Sequence, residues 1–303
     1  MIEYRHLRYF VAVAEERNFS RAAERLYMAQ PPLSAAIRQL EQDLGVELLR
    51  RSTREVTLTE AGEAFLEGAH TTLAILERTV GDVRRIGNGG LRQLHAGVGC
   101  PAHVHTFPTI CEAFRGTHPD IAVVGEQMWN AQIPEALRRG TVDVALTSCP
   151  EFDRELSTRT IRREQLFVLV SKDHPAADQS TVSLRELASS EFLCPPATLA
   201  PTFHQTFIAM CQAAGFDPII SRHSLMSGWE TGLVLATDSV KLAAESFAST
   251  RPDGVVALAL SPRAYLDTVV VWRTDDPPTA ALAFAELATT VFAQTLDTLV
   301  VSA

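Results

Sequence analysis

The first thirty residues carry two helical patterns. Apolar side chains recur at the i, i+3, i+4 and i+7 spacing of a helix with one buried face, at Leu7, Phe10, Val11 and Ala14. A second, shorter helix is predicted behind Ser20, and it breaks near Tyr27 and Met28. The first helix can therefore pack behind the elements that follow it.

A third helix is predicted from Gln30, because Pro31 and Pro32 are tolerated in a first turn whose N–H groups have no intrahelical partner. Its buried stripe follows the i, i+4, i+7 and i+11 spacing, at Leu33, Ile37, Leu40 and Leu44. The opposite face presents Gln30, Ser34, Ala35 and Arg38. Gln, Ser and Arg side chains can reach phosphates or base edges in a DNA major groove. The two helices predict a helix-turn-helix, and an ordinary helical hairpin in a core is the alternative.

The segment after the third helix predicts a β-hairpin. Gly45 is expected to end the helix, and two short strands at 46–49 and 55–58 are expected to pair. The tip between them carries Arg50, Arg51 and Arg54. Guanidinium groups there suit the phosphates or the minor groove beside a recognition helix, whereas the alternative is a solvated turn.

These residues carry a family resemblance. Leu7 to Gly62 read LRYFVAVAEERNFSRAAERLYMAQPPLSAAIRQLEQDLGVELLRRSTREVTLTEAG and resemble the N-terminal winged helix-turn-helix of the LysR-type transcriptional regulators. The AQPPLS segment is most similar to the corresponding segment in the branch of the family that controls the breakdown of aromatic compounds. The resemblance implies that certain positions lie against DNA: Gln30, Pro31, Pro32, Ser34, Arg51 and Arg54. Ser20, Ala35 and Arg38 complete the expected DNA-binding set.

Two positions depart from the family pattern. Ala29 stands where a serine usually caps the recognition helix, and losing such a cap costs about 1 kcal/mol. Ala35 stands where an arginine usually follows the serine, so one expected DNA contact is in doubt. Arg38, one helical turn further on, is a partial substitute.

Thr59 and Glu60 open a helix that is predicted to run to about Arg85. Apolar side chains in it form the a/d seam of a coiled coil, at Leu66, Ala69, Leu73, Leu76, Val80 and Val83. An amphipathic helix packed on its own domain is the alternative. The placement between a DNA-binding head and a larger domain resembles the dimerising linker helix of the family, and Gly87 to Gly90 predict a flexible hinge.

Beyond the hinge, strand and helix patterns alternate in βαβαβ order, which predicts a parallel sheet with helices on both faces. The predicted strands are at 93–98, 121–125 and 142–146, and the helices at 103–118 and 133–139. A second set is predicted at 166–170, 203–214 and 219–223. A strand at 267–272 and a helix at 279–299 are expected to return to the first lobe.

The resemblance implies that this region has the two-lobed fold of type 2 periplasmic binding proteins, an α/β fold with parallel sheets that holds a ligand between its lobes. The expected domains are a winged helix-turn-helix at 1–58, a linker helix and hinge at 59–90, and an effector-binding domain at 91–303. Lobe I is expected at about 91–162 and 267–303, and lobe II at about 163–266.

Ligands of such sheets bind at the carboxyl ends of strands, where helix N-termini present free N–H groups. The candidate effector-binding residues are Cys100, Pro101, Ala102, His103, Thr147, Thr202, Phe203, Ser227 and Trp229, and each has an ordinary helix start or loop as its alternative. Helix starts at 101–103 and near Thr202 favour an anion. A small carboxylate effector is therefore expected, with an aromatic body suggested by Phe203 and Trp229.

Charge is unevenly distributed along the 303 residues, whose net charge is -9. Residues 1–62 contain nine Arg, eight Glu and one Asp and are therefore neutral, so the remaining 18 basic and 27 acidic side chains carry the whole excess. With so few cations, one copy of the head should bind DNA weakly and in a salt-sensitive way. This favours a symmetric oligomer that reads both halves of an interrupted palindrome.

Several other classes are disfavoured. A charged N-terminus and the lack of any run of eighteen apolar residues predict a cytoplasmic protein without a membrane partner. Five cysteines without framework spacing predict free thiols, with a redox pair of Cys194 and Cys211 as the alternative. The spacing of Cys100, His103, His105 and Cys111 matches no closed zinc pattern, so no metal or cofactor is expected. No catalytic motif of the common hydrolase or phosphate-loop types occurs, which argues against an enzyme.

The chain is therefore expected to be a bacterial transcriptional regulator. The resemblance implies a tetramer, a dimer of dimers, that binds double-stranded DNA and bends it. Effector binding would change lobe closure and so alter the promoter geometry that RNA polymerase meets. The alternative is a two-lobed solute-binding protein or enzyme with an accidental helix-turn-helix, and a promoter mobility shift separates the two.

Overall fold

A computed structural model describes residues 2–51, 56–148, 154–223, 232–237 and 239–293. The chain forms two compact units, one comprising Met1–Gly90 with Arg139–Thr141 and the other comprising Leu91–Arg138 with Val142–Ala303. The finer limits of domains and lobes given above stay predictions. Within the described ranges, no helix is both long and apolar enough to cross a membrane.

The head of the first unit has three helices and a short hairpin. Its elements are α1 (Tyr4–Glu16), α2 (Phe19–Arg25), α3 (Gln30–Leu44), β1 (Leu49–Arg51) and β2 (Val56–Leu58). The cap of α2 is Asn18 rather than Ser20, because the Asn18 Oδ1 atom accepts hydrogen bonds from the backbone N–H groups of Ser20 and Arg21 at 2.9 and 3.0 Å. As predicted, α3 ends at Gly45, whose φ of +72° carries no Cβ penalty in glycine.

The predicted apolar stripes form the core of the head. Phe10, Leu33, Ile37 and Leu40 are completely buried there, whereas Leu44 is half-buried at the edge. The Phe10 ring packs edge-on against the ring of Phe65 from the following helix, with 5.1 Å between ring centroids. The helix-turn-helix is thus held by one continuous hydrophobic core, as its periodicity predicts.

The hairpin lies three residues further along than predicted on its first strand. β1 pairs with β2 in antiparallel register, with Leu49 opposite Leu58 and Arg51 opposite Val56. Residues 46–47 are exposed and only link α3 to the hairpin, because Gly45 turns the chain before pairing can begin. Arg50 and Arg51 consequently lie on a strand rather than on the tip, and Arg54 falls outside the described residues.

The first unit continues into α4 (Glu60–Gly87), the predicted long helix, whose cap is Thr59. The Thr59 Oγ1 atom accepts a hydrogen bond from the Gly62 N–H group at 3.0 Å. Leu66 packs against the core of the head instead of facing away from it. Further along, the apolar side chains of Leu76 and Val83 are 40% and 65% exposed. The second half of α4 therefore carries an uncovered apolar strip.

The second unit alternates strands and helices. The elements are β3 (Arg92–Val98), α5 (Thr106–Thr117), β4 (Ile121–Gln127), α6 (Ile133–Arg138), β5 (Val144–Ser148), β6 (Leu156–Ser171), β7 (Thr181–Val182), β8 (Glu191–Phe192), α7 (Pro201–Ala213), β9 (Ile219–Ile220), α8 (Leu233–Thr237), β10 (Lys241–Ala244), α9 (Glu245–Ala248), β11 (Val255–Leu260), β12 (Tyr265–Arg273) and α10 (Thr279–Val291). Two 3₁₀ turns lie at Asn130–Gln132 and Leu184–Leu187.

The sheet combines parallel and antiparallel strands. β4, β3 and β5 are parallel neighbours, as the βαβαβ order predicts. β12 then joins β5 and β6 in antiparallel register, and β6 continues into antiparallel pairs with β10 and β11. This confirms the α/β fold class and adds long antiparallel strands to it. The core of one lobe is built on β3, β5, α5 and α10, and that of the other on the second half of β6 with α7 and β10.

Several elements differ from their predicted limits. α5 begins at Thr106 instead of 103, because residues 101–105 form a turn in which the Phe107 N–H donates to the Ala102 carbonyl at 2.8 Å. β6 extends far upstream of the predicted 166–170, since its first half is polar and pairs with β12. The structure adds β7, β8, β10 and β11 and shortens the strand at 219–223 to two residues. α10 spans Thr279–Val291, and positions 294–299 of the predicted helix lie outside the described residues.

Two glycines of α4 give a matched test of how closely this helix approaches the hairpin of the head. A Cβ atom at Gly62 would lie 2.0 Å from the Leu48 carbonyl oxygen, whereas one at Gly68 would meet nothing within 4 Å. We expect Gly62→Ala to destabilise the protein by at least about 1–3 kcal/mol, the usual cost of overpacking against rigid backbone. Gly68→Ala should stabilise the helix by about 0.5–1 kcal/mol. Denaturant unfolding monitored by circular dichroism measures both, and equal effects would contradict the close approach of α4 to the hairpin.

Candidate DNA interface and ligand cleft

The face of α3 opposite its buried stripe is open. Gln30, Pro31, Pro32, Ala35 and Arg38 are exposed, and Ser34 is half-buried between them. These residues occupy successive turns at the start of a helix that packs into the head only through its other side. Ser20 is likewise exposed, near the start of α2. The predicted DNA-binding side chains of α2 and α3 are thus on the surface.

Arg38 and Ser34 form a local pair on this face. The Arg38 Nε atom donates to the Ser34 carbonyl at 3.3 Å, and Nη2 lies 3.4 Å from the Ser34 hydroxyl. The guanidinium is therefore folded back along the helix toward its N-terminal end. Ser34 lies one helical turn after Gln30, so this contact makes Arg38 part of the polar surface on the first turns of α3.

The hairpin is attached to α3 by a half-buried carboxylate contact. The Glu41 Oε1 atom accepts hydrogen bonds from the backbone N–H groups of Leu48 and Leu49, at 3.0 and 3.1 Å. A charged acceptor makes such bonds stronger than neutral ones. Glu41 therefore fixes the start of β1 relative to α3, and with it the strand that carries Arg50, which is exposed.

A cleft lies between the two lobes of the second unit, with about 530 Å³ of empty space that includes its open mouth. One wall is formed by Cys100, Pro101, Trp129, Asn130 and Ser148. The facing residues include Leu193, Pro195, Ala200, Phe203, Lys241 and Phe247. The lining is mainly apolar with a few polar groups, which is the usual composition of a small-molecule site.

Hydrogen bonds between segments at the strand ends connect Cys100, Asn130 and Ser148 in one wall of the cleft. The Ser148 hydroxyl at the end of β5 donates to the Cys100 carbonyl at 3.2 Å, and the Asn130 side-chain amide donates to the Ser148 carbonyl at 3.0 Å. Both bonds join segments that follow parallel strands. This is the carboxyl edge of the sheet, where the strand order predicts a site.

Lys241 is the one charged side chain among the described residues that line the cleft. It is the first residue of β10, only 4% exposed, and its Nζ atom lies 4.6 Å from the centroid of the Phe247 ring. An ammonium over an aromatic face is a cation–π contact. The cleft therefore contains a buried cation beside an aromatic wall.

His103 lies behind the same aromatic ring and is a poor candidate for a second cation. Its ring centroid is 5.8 Å from that of Phe247. Burial, together with the charge of Lys241, holds the pKa of His103 below its usual value. At neutral pH the positive charge in this region is consequently that of the lysine.

The predicted effector residues are only partly brought together. Cys100, Pro101 and Phe203 line the cleft, whereas Ala102 is completely buried in the core of one lobe and Thr147 is also buried. His103 packs on Phe247, and Thr202 lies next to the lining residue Phe203 in the first turn of α7. Ser227 and Trp229 are outside the described residues.

Trp129, Lys241 and Phe247 are among the lining residues that sequence reasoning missed. A weak signal existed for Lys241, because it is one of only two lysines in the chain and stands within an apolar stretch that is typical of a buried strand. Trp129 lies two residues after the end of β4, at the carboxyl edge of the sheet. Phe247 lies on α9, an element that the periodicity did not predict.

The four described cysteines are buried or half-buried free thiols. Burial raises the pKa of Cys100 and of Cys194 to about 12, and that of Cys211 to about 11. Thiols that stay protonated at neutral pH react slowly with oxidants, which disfavours the redox alternative. Among the residues that the structure describes, no group of three or more His, Cys, Asp or Glu side chains is arranged to hold a metal ion.

Comparison with known proteins covers both units. Residues 4–63 match the model for bacterial regulatory helix-turn-helix proteins of the lysR family, and residues 88–293 match that for the LysR substrate binding domain. The HTH-type transcriptional regulator AlsR of Bacillus subtilis is 32% identical over 78% of this chain and 78% of its own length. TfdS of Cupriavidus pinatubonensis, also an HTH-type transcriptional regulator, is 31% identical over 95% of this chain and 98% of its own. The crystal structure of full-length CbnR complexed with its target DNA aligns with a TM-score of 0.78 and 27% identity, covering 96% of this chain and 100% of that one.

The raised thiol pKa values predict how the cysteines react. An exposed thiol with an ordinary pKa near 8.5 is largely ionised by about pH 9, so its alkylation rate levels off there. For Cys100 and Cys194 we expect the rate to keep rising about tenfold per pH unit up to pH 9.5, because their pKa values of about 12 lie above that range. Mass spectrometry of iodoacetamide-treated protein measures each site, with denatured protein as the control. A plateau below pH 9 at Cys194 would reinstate the redox alternative.

Proposed function

The chain belongs to the LysR family and is a DNA-binding transcriptional regulator; from that premise we propose that it acts as a homotetramer, a dimer of dimers, controlled by a small anionic effector. The observation that carries the DNA part is the open face of α3, on which Gln30, Ser34 and Arg38 surround the start of the helix. A helix that enters the major groove with its N-terminal residues contacts bases with side chains at these positions.

The charge of the head supports binding by more than one copy. Arg21 is paired with Glu16 at 2.7 Å and Arg25 with Glu15 at 2.6 Å, so cations on α2 are matched by acids on α1. Phosphate contacts supply most of the affinity of a protein for any DNA. A neutral head should therefore bind a single half-site weakly, and two linked heads on an interrupted palindrome should bind far better because the second binding event is intramolecular.

The apolar strip on α4 supplies a dimer surface. Leu76, Val80 and Val83 are exposed at the heptad spacing predicted for a coiled coil, and Leu73 is half-buried beside them. Isolated exposed apolar residues need no explanation, but a strip at the 3.5-residue repeat is typical of helix pairing. We take the seam to be Leu73, Leu76, Val80 and Val83, with Leu66 at its margin because that residue packs on the head.

The effector is proposed to bind in the interlobe cleft and to be a small carboxylate. Residues 101–103 do not support an anionic effector, because α5 begins only at Thr106. The first turn of α7 and the lysine in the lining of the cleft do support it. Trp129, Phe203 and Phe247 line the same space and suit an apolar or aromatic body. The AQPPLS resemblance is in accord with an aromatic compound.

Regulation then follows from linkage. An effector that binds one degree of lobe closure better than another shifts the protein toward that state by its difference in affinity. A changed pose of the paired heads would alter the bend of the operator DNA, and with it the promoter geometry available to RNA polymerase. Because a DNA-binding regulator acts where the DNA of the cell is, we expect the protein to work in the bacterial cytoplasm.

The first test concerns base recognition by α3. Gln30→Ala should weaken binding mainly to the cognate operator, because one good base contact supplies about 1–3 kcal/mol of discrimination. Arg51→Ala should weaken all DNA sequences alike if Arg51 contacts phosphate. Gln39→Ala is the matched control, since the Gln39 amide is bonded to Asp43 at 2.8 Å. Footprinting and competition with random DNA measure the effects, and unchanged specificity in Gln30→Ala would remove this residue from base readout.

The second test concerns the seam. The double change Leu73→Glu and Leu76→Glu would bring like charges together across a two-fold interface, so the dimer should dissociate and operator binding should collapse. Ala74→Glu adds a charge to the same turn outside the seam and should leave the dimer intact. Sedimentation measures the oligomeric state, and circular dichroism checks that both units stay folded. An intact dimer in the double variant would refute the seam.

A further inference from the structure

Most arginine side chains that the structure describes in the head have a partner within the protein. The partners are Glu3 for Arg5, the Tyr4 ring for Arg8, Glu16 for Arg21, Glu15 for Arg25 and Ser34 for Arg38. Arg17 and Arg50 are exposed, and within the part of the chain that the structure describes neither side chain has an ion pair or a hydrogen bond. In a head of zero net charge, these two guanidiniums are therefore the ones available to DNA phosphates.

Arg17 also has an uncommon backbone conformation. It is the residue at which α1 ends, with a φ of +48°, and its N–H group donates to the Val13 carbonyl at 2.9 Å. Glycine adopts this left-handed region without penalty, whereas a side chain there is crowded against its own backbone. The described contacts of the Arg17 side chain include no bond that offsets this strain. A role outside the folded head is the explanation that such strain favours.

The corner between α1 and α2 brings Arg17 beside the hairpin. A surface hollow of about 470 Å³, which includes its open mouth, is lined by Ala14, Arg17, Leu49, Val56, Thr57, Leu58 and Glu63. Thr57 is exposed and lies opposite Arg50 in the antiparallel register, so these two side chains share one face of the hairpin. Ser20, which is also exposed, follows Arg17 by three residues. Arg17 therefore adjoins both the start of α2 and the hairpin.

We propose that Arg17 contacts a DNA phosphate and that, with Arg50, it forms a surface of the head that binds the DNA backbone. The partner is the double helix that the recognition helix α3 binds, and a phosphate contact positions the head without reading sequence. A guanidinium suits this role because its planar fork binds two phosphate oxygens at once. Glu63 lines the same hollow, but among the described residues it forms no ion pair with Arg17.

The test is the salt dependence of DNA binding by the full-length protein. Fluorescence anisotropy measures its affinity for a fluorescein-labelled duplex of mixed sequence, at about 50 to 200 mM potassium chloride. Arg17→Ala should weaken binding at least about tenfold, as expected for the loss of a hydrogen bond to a charged group. The plot of log affinity against log salt concentration should become less steep by about 0.9 for each bound head. Arg17→Lys keeps the charge and should keep the slope.

Arg8→Ala is the control for net charge. It removes one cation from the same helix, about 13 Å from Arg17 along the helix axis, which exceeds the Debye length of about 10 Å at 0.1 M salt. Because screening removes most of its effect at Arg17, the slope should stay close to that of the unchanged protein. Glu63→Gln should bind DNA at least as tightly as the unchanged protein, because it removes a negative charge from the hollow.

The stability of a glycine variant separates a DNA contact from a structural role. Arg17→Gly relieves the left-handed conformation, so its midpoint of thermal unfolding should be unchanged or higher while its DNA affinity falls as in Arg17→Ala. If Arg17→Ala fails to fold, Arg17→Gly and Arg17→Lys decide the matter. An unchanged slope in folded Arg17→Ala or Arg17→Gly, an equal change in Arg8→Ala, or a lost slope in Arg17→Lys would overturn the phosphate contact.

Discussion

The antiparallel pairing of β6 with β12 is the constraint on which the ligand-binding unit depends. Both strands contribute to both lobes: Ile161 and Val270 lie in one hydrophobic core, and Leu166 and Leu266 lie in the other. The two strands pair along their whole shared length, from Tyr265 opposite Gln165 to Arg273 opposite Leu156. The walls of the cleft therefore meet at a pair of strands that belongs to both. Any change of lobe closure must be absorbed there, because packed cores do not deform continuously.

Buried polar contacts lie along the part of β6 that crosses from one lobe to the other. Glu164 ties β6 to the start of α9 through the Ser246 N–H group, and Arg162 ties the same strand to the start of α5 through Thr106. The Glu164–Arg162 pair is largely removed from water, and breaking such a pair leaves an uncompensated buried charge. The crossing strand is thereby anchored to a helix of each lobe. Its geometry and the shape of the cleft are set by the same contacts.

Every basic residue of residues 1–62 is an arginine, whereas the cation in the lining of the cleft is a lysine. Residues 1–62 have only arginines as basic residues, which suits planar, bidentate recognition of phosphate and guanine. The lining of the cleft instead includes Lys241, a compact point charge that lies over the Phe247 ring. The neutral head and the exposed apolar strip of α4 both bear on the proposed oligomer, because linking two heads makes the second binding event intramolecular.

The amino-acid sequence alone determined the helix-turn-helix, the long α4 helix and the parallel βαβαβ segment. It also determined that the head is a DNA-binding domain. These features depend on local periodicity and on turn residues such as Pro31 and Gly45, so they can be read from neighbours along the chain. Tertiary structure alone decided the long crossing of β6, whose polar first half gives no strand signal until β12 pairs with it. It also brought Trp129 into one cleft with Lys241 and Phe247, which lie far from it along the chain. The sequence shows that a lysine occurs at 241, but its burial results from the pairing of β10 with β6, a long-range contact that no local pattern encodes.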